Sequence, residues 1–172
     1  MWVPYNFNMP ILSPNALEFF SRSPEQTRRL GARLGALLSA GDVVCLSGDL
    51  GSGKTTFVKG IAQGWGSLDA VTSPTFVLVN YYSRPQGETL YHLDAYRLEG
   101  AEEAEALDMD WMLDSGALVV EWPERIKSAL PADCLWVHLS YIDDLQRGMV
   151  FKAEGNRYNT LLADFRRQAF GG

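Results

Sequence analysis

From residue 16 onward, short runs of β-branched and aromatic residues alternate with stretches whose apolar side chains recur three and four positions apart. The first pattern marks strands and the second marks helices with one buried face. Ala16–Phe20 reads as a short strand. Ser23-Pro24-Glu25-Gln26 then reads as a helix start, with serine as cap, proline in the first turn and glutamine three residues after the cap. Leu30, Leu34, Leu37 and Leu38 form that helix's apolar face, and Gly41 marks its expected end. Residues 43–47 are a buried strand, and Phe57-Val58-x-x-Ile61-Ala62-x-x-Trp65 is the face of a second helix. A strand over Phe76–Tyr82, the turn Arg84-Pro85-Gln86-Gly87 and a returning strand over Thr89–Asp94 predict an antiparallel hairpin. Residues 101–114 read as one acidic helix and Ala117–Glu121 as a buried strand. Leu135–Tyr141 and Met149–Ala153 read as a second antiparallel pair, and Tyr158–Phe170 as an amphipathic helix.

Residues 1–14 carry three prolines and no period, so they are expected to form an irregular N-terminal arm ahead of a domain over 15–172. A chain of 172 residues with 47% apolar content suits one domain with a real core. No apolar run approaches a membrane span, and no basic region followed by an apolar core opens the sequence. The expected location is the cytoplasm, with no membrane association. Cys45 and Cys134 both lie in apolar strand-like runs and read as buried structural thiols rather than a disulfide or metal site. The net charge of −6 and the absence of any concentrated basic face argue against a strong direct grip on nucleic acid. Arg28, Arg29 and Arg33 are the densest basic group, and they read as the solvated face of the first helix.

The chemistry concentrates where the strand over 43–47 meets the second helix. Gly48-Asp49-Leu50-Gly51-Ser52-Gly53-Lys54-Thr55 is a complete G-x-x-x-x-G-K-T, followed by Thr56. Glycines let successive backbone N–H groups approach a polyphosphate, and a helix beginning near Lys54 turns its positive end to the same anion. The Lys54 ammonium can then reach the β- and γ-phosphates while the Thr55 hydroxyl ligates Mg²⁺. The expectation is a single-domain α/β P-loop NTPase, with a mixed parallel and antiparallel sheet flanked by helices.

Such a loop needs a further carboxylate for the metal or its water shell, and two strands end in one: Asp94 and Glu121. Each can equally be a strand-end acid facing solvent or pairing with Arg97 or Arg125. Thr75 follows the constrained Ser73-Pro74 step; it either presents its hydroxyl to a γ-phosphate or merely begins a strand. His92 reads as a packed strand residue rather than a base. Trp122 reads as core, although it adjoins Glu121.

Taken together, Gly-Asp-Leu-Gly-Ser-Gly-Lys-Thr-Thr, Ser73-Pro74-Thr75-Phe76, Tyr91-His92-Leu93-Asp94-Ala95-Tyr96-Arg97-Leu98 and Val120-Glu121-Trp122-Pro123-Glu124 resemble the TsaE (YjeE) family of small bacterial ATPases, from about Ser23 to Arg147. The resemblance implies a role in making threonylcarbamoyladenosine in tRNA, with ATP and Mg as cofactors. It also implies two partner proteins, TsaD and TsaB, with tRNA reached only through the complex. Thr55 and Glu121 become Mg²⁺ ligands, with Asp94 near the metal and the reacting water. Ser23 and Arg147 match positions near the nucleotide. Three readings compete with this one. A small-molecule P-loop kinase would want an arginine-rich lid, and the arginines here are scattered. A GTP switch would want Asn-Lys-x-Asp, which is absent. A non-catalytic nucleotide sensor would need only the loop.

Overall fold

The computed structural model describes residues 14–71 and 78–170. Seven strands form one mixed sheet in the order β1-β7-β6-β2-β5-β4-β3. They are β1 (Ala16–Ser21), β2 (Val43–Ser47), β3 (Val79–Ser83), β4 (Thr89–Asp94), β5 (Gly116–Glu121), β6 (Cys134–Tyr141) and β7 (Arg147–Glu154). β6, β2, β5 and β4 run parallel at the centre, and β3, β7 and β1 pair antiparallel outside them. The central position of β2 explains its unbroken apolar run, since helices must cover a parallel strand on both faces.

One face of the sheet packs under α1 (Pro24–Leu37), α2 (Lys54–Trp65) and α5 (Asn156–Phe170), through Val44, Leu46, Val119, Val137 and Phe151. The other face packs under α3 (Ala101–Glu105), α4 (Met109–Ser115) and the 3₁₀ segment Pro123–Ala129, through Leu93, Leu118, Val120, Met112 and Ile126. Strand alternation therefore assigns each side chain to a face. His92, Asp94 and Glu121 share the parity of Leu90 and Val119 and lie on the α2 side.

Most expected elements are present, with two corrections. The predicted acidic helix is two helices, because Asp108 adopts a left-handed backbone (φ 54) and its side chain accepts from Trp111 N to cap α4. The first helix ends at Leu37 rather than Gly41. Leu38 turns extended there, and the Asp42 carboxylate accepts from Ser39 N (2.8 Å) while held by Arg157 (2.7 Å). The β3–β4 hairpin pairs Ser83 with Thr89 around the expected turn. Residues 76 and 77 of its first predicted strand lie outside the described residues, as do residues 1–13 of the predicted arm. Cys45 and Cys134 are free and buried. A hydrogen bond between their thiols raises Cys45 well above the ordinary thiol value.

α1 and α2 cross at unusually close range. A Cβ on Gly35 would stand 2.0 Å from the Ile61 carbonyl oxygen, and one on Gly60 would stand 2.0 Å from that of Arg28. Neither contact can relax without moving backbone. Gly60→Ala should cost about 1–3 kcal/mol through overpacking, read as a lower urea midpoint. Gly100→Ala, where a Cβ meets nothing within 4 Å, is the control and should leave the midpoint unchanged.

Candidate functional site

The loop between β2 and α2 turns on three glycines with positive φ: Gly48 (140°), Gly51 (80°) and Gly53 (101°). At Gly48 space is also lacking, since a Cβ would lie 2.3 Å from Leu139 O. Gly53 occupies the cap position of α2 without a side chain, so the helix's first N–H groups open onto the loop. Asp49, Leu50 and Gly51 form its exposed tip, and Thr55 and Thr56 stand half-buried in the first turn of α2. Ser52 is buried, and its hydroxyl has no hydrogen-bond partner.

Lys54 is 7% exposed. Its ammonium donates to Gly48 O and to Asp49 O (3.0 Å), and lies 4.5 Å from the centre of the Trp122 ring. Burial lowers its pKa; Glu121, Glu124, Asp49 and Asp94 oppose that shift. A lysine held between a low-dielectric wall and four carboxylates is poised to meet additional negative charge.

The parallel register sets Asp94 directly beside Glu121. Glu121 is buried, with Oε2 3.3 Å from His92 Nε2. Asp94 Oδ1 accepts from Tyr96 N (3.0 Å). Burial raises the Asp94 pKa above the ordinary carboxyl value; the Tyr96 N–H counteracts and the Glu121 charge adds to the rise. Two adjacent carboxylates, with burial raising the proton affinity of Asp94, are a pair that wants a cation. Among the described residues no group of three or more His, Cys, Asp or Glu could hold a metal ion by itself. That suits Mg²⁺, which takes one or two protein carboxylates and completes its shell with water and phosphate.

The folded-state pKa of Asp94 is raised, so its charge is an uncompensated cost at neutral pH. The associated stability is present below the unfolded carboxyl value and is lost as pH rises through the folded one. Asp94→Asn should therefore raise the thermal midpoint by a few degrees at neutral pH, a gain that shrinks towards about pH 4. Melting curves at the two pH values check it.

Trp122 follows β5 with a left-handed backbone (φ 56), a strained conformation for a bulky residue that the following proline would otherwise bias towards the extended region. Its ring packs 5.0 Å from Tyr96, over which Arg125 lies at 5.0 Å. Trp122 is thus partly core and partly a lid over Lys54. Arg147 donates to the carbonyls of Asp143 (2.6 Å) and Gln146 (2.9 Å), and its side chain would stand 3.6 Å from a Cβ on Gly53. Ser23 caps α1, with its Oγ accepting from Gln26 N at 3.1 Å, two residues beyond Ser21, the register partner of Arg147. Thr75 lies outside the described residues. The strand pairing with the loop thus gathers Gly48 through Thr56, Asp94, Glu121, Trp122 and Arg147; Ser23 caps α1 beyond the end of β1. Sequence reasoning missed two neighbours: His92 as the partner of Glu121, and His138, whose Nδ1 is 2.8 Å from Ser47 Oγ at the root of the loop. The position of His92 two residues before Asp94, on the same strand face, was the available signal.

A glycine loop between a central parallel strand and a helix, flanked by strand-end acids, defines a P-loop nucleotide-binding fold. The family described as "Threonylcarbamoyl adenosine biosynthesis protein TsaE" matches residues 21–149, and the chain belongs to that family. It is 38% identical over 152 residues to the "tRNA threonylcarbamoyladenosine biosynthesis protein TsaE" of Bacillus subtilis, covering 88% of this chain and 94% of that protein. The protein of the same description from Streptomyces coelicolor is 50% identical over 110 residues, covering 63% and 74%. The crystal structure of Bacillus subtilis YdiB superposes with a TM-score of 0.74 at 34% identity, covering 89% of this chain and 95% of that one.

Proposed function

We propose that this chain binds and hydrolyses ATP with Mg²⁺ as an accessory step in threonylcarbamoyladenosine biosynthesis on tRNA, acting with TsaD and TsaB. The observation that carries the reading is the meeting of Lys54 with the register pair Asp94 and Glu121 at the head of α2. Backbone N–H groups from Gly51 to Thr56 cradle the phosphates. The Lys54 ammonium turns from the Gly48 and Asp49 carbonyls to the β- and γ-phosphate oxygens. The Thr55 hydroxyl and the Glu121 carboxylate hold the metal, and Asp94 orients the attacking water. Bound Mg²⁺ supplies charge neutralisation at the transferring phosphoryl group. Thr75 presents its hydroxyl to the γ-phosphate, and Ser23 and Arg147 flank the nucleoside. Trp122 and the Ser73–Thr75 loop face the partner proteins, and the net charge of −6 keeps contact with tRNA indirect. Residues 15–172 form the ATPase domain and residues 1–14 an arm outside it.

No helix among the described residues is long and apolar enough to cross a membrane, and we place the protein in the cytoplasm. Competition against a fluorescent ATP analogue tests the ligand. ATP should displace it better than GTP, because nothing in the chain matches a guanine-reading Asn-Lys-x-Asp. A clear GTP preference would contradict the reading. Chelating Mg²⁺ should abolish hydrolysis.

A further inference from the structure

His92 is completely buried, yet among the described residues its ring finds no hydrogen bond of good geometry at either nitrogen. Buried polar atoms of this kind are rare and costly, and a strand residue that served only packing would be apolar. Its neighbours on the sheet face include the Tyr82 ring, 6.3 Å away, and among the described residues neither ring nitrogen has a cation or backbone partner. Among the described residues, the polar group that its Nε2 approaches is Glu121 Oε2, at 3.3 Å, short of a hydrogen bond in angle. His92 and Glu121 stand on adjacent parallel strands, with His92 opposite Val119, one side-chain step behind the Asp94–Glu121 pair. A small turn of the carboxylate is enough to bring the two into line.

We propose that His92 is a positioning residue for Glu121: its Nε2–H donates to one carboxylate oxygen and leaves the other aimed at the metal and the head of α2. Two rigid strands fix the ring, so the carboxylate loses its freedom to swing towards Asp94. This role rests on the ATPase reading above. Partners behind a metal-binding side chain orient it, and their loss typically costs about 10- to 100-fold in metal affinity or activity.

The chain has two histidines, so ¹⁵N spectra of its imidazoles resolve one ring from the other in the nucleotide-free protein. His92 should carry its proton on Nε2, and Glu121→Gln should shift that resonance while leaving His138 in place. A proton on Nδ1, or a spectrum indifferent to Glu121→Gln, overturns the proposal. In hydrolysis assays His92→Leu should lower kcat about 10- to 100-fold and raise the Mg²⁺ concentration needed for half-maximal rate. Affinity for the fluorescent ATP analogue should stay within about twofold, since the phosphate cradle is untouched. His92→Gln, which restores an N–H near the Nε2 position, should recover most of the rate. In the Glu121→Gln background, His92→Leu should add nothing further. Wild-type-like kcat in His92→Leu, absent rescue by His92→Gln, or additive losses in the double variant would each refute it. If the wild-type protein fails to hydrolyse ATP at all, the ATPase reading falls, and the ring spectra alone decide whether His92 holds Glu121.

Discussion

Lys54→Ala is expected to weaken ATP binding about tenfold to a hundredfold. The ammonium makes charge-assisted contacts to phosphate, each worth on the order of 1.5–3 kcal/mol, and every factor of ten corresponds to about 1.4 kcal/mol. The folded protein has already met part of the cost of placing this charge, because Lys54 is 7% exposed and its pKa is lowered by burial. Phosphate binding therefore gains attraction without paying again for desolvation. Lys54→Arg should not restore affinity: the wider guanidinium must enter a space sized for an ammonium, between the Gly48 and Asp49 carbonyls and the Trp122 ring. Titration with a fluorescent ATP analogue measures both variants. Unchanged affinity in Lys54→Ala would remove the lysine from the site.

Glu121→Gln should separate chemistry from binding. The amide is nearly isosteric, so the β5 backbone and the loop stay in place, but the metal loses a charged ligand. Turnover should fall about 10²-fold or more, the scale seen when one group that stabilises transition-state charge is removed. Nucleotide affinity should fall far less. Asp94→Asn should show the same split, and its expected gain in thermal stability separates a functional loss from a folding defect. If both variants hydrolyse ATP at the wild-type rate, neither acid carries the chemistry.

Much of the frame was legible because local signals agreed with the tertiary answer. The Ser23 cap with Gln26, the apolar run of β2, the glycine loop and the turn at Gly87 are all read within a few residues, and all are present. One feature that escaped is local, and the others are non-local. The Asp108 break competes with an otherwise good acidic helix, and only its carboxylate's capture of Trp111 N decides the outcome. The early end of α1 depends on Asp42, which Arg157 anchors from the far end of the chain. Gly31 with Gly35 and Gly60 with Gly64 repeat at a four-residue spacing, a visible pattern whose meaning appears only when the two helices cross. The pairing of β1 with β7 joins segments more than a hundred residues apart, and nothing in either strand names its neighbour.

The candidate site divides in the same way. The phosphate-binding loop could be read from spacing alone. The two carboxylates could be read only as strand ends with open roles, and the register Asp94↔Glu121 then set them side by side. Arg125, one of the pairing partners weighed for these acids, lies over Tyr96. His92 looked like packing, because burial and partnership are properties of the assembled sheet.

The proposed role of this chain in threonylcarbamoyladenosine formation runs through ATP hydrolysis at the Gly48–Thr56 loop. Multiple-turnover modification of tRNA by a mixture containing TsaD and TsaB tests it most directly, run with the wild-type chain, with Glu121→Gln, and with the chain omitted. Sustained modification is expected only with the wild-type protein, accompanied by ATP hydrolysis faster than the chain achieves alone. Modification that proceeds unchanged when the chain is omitted would contradict it.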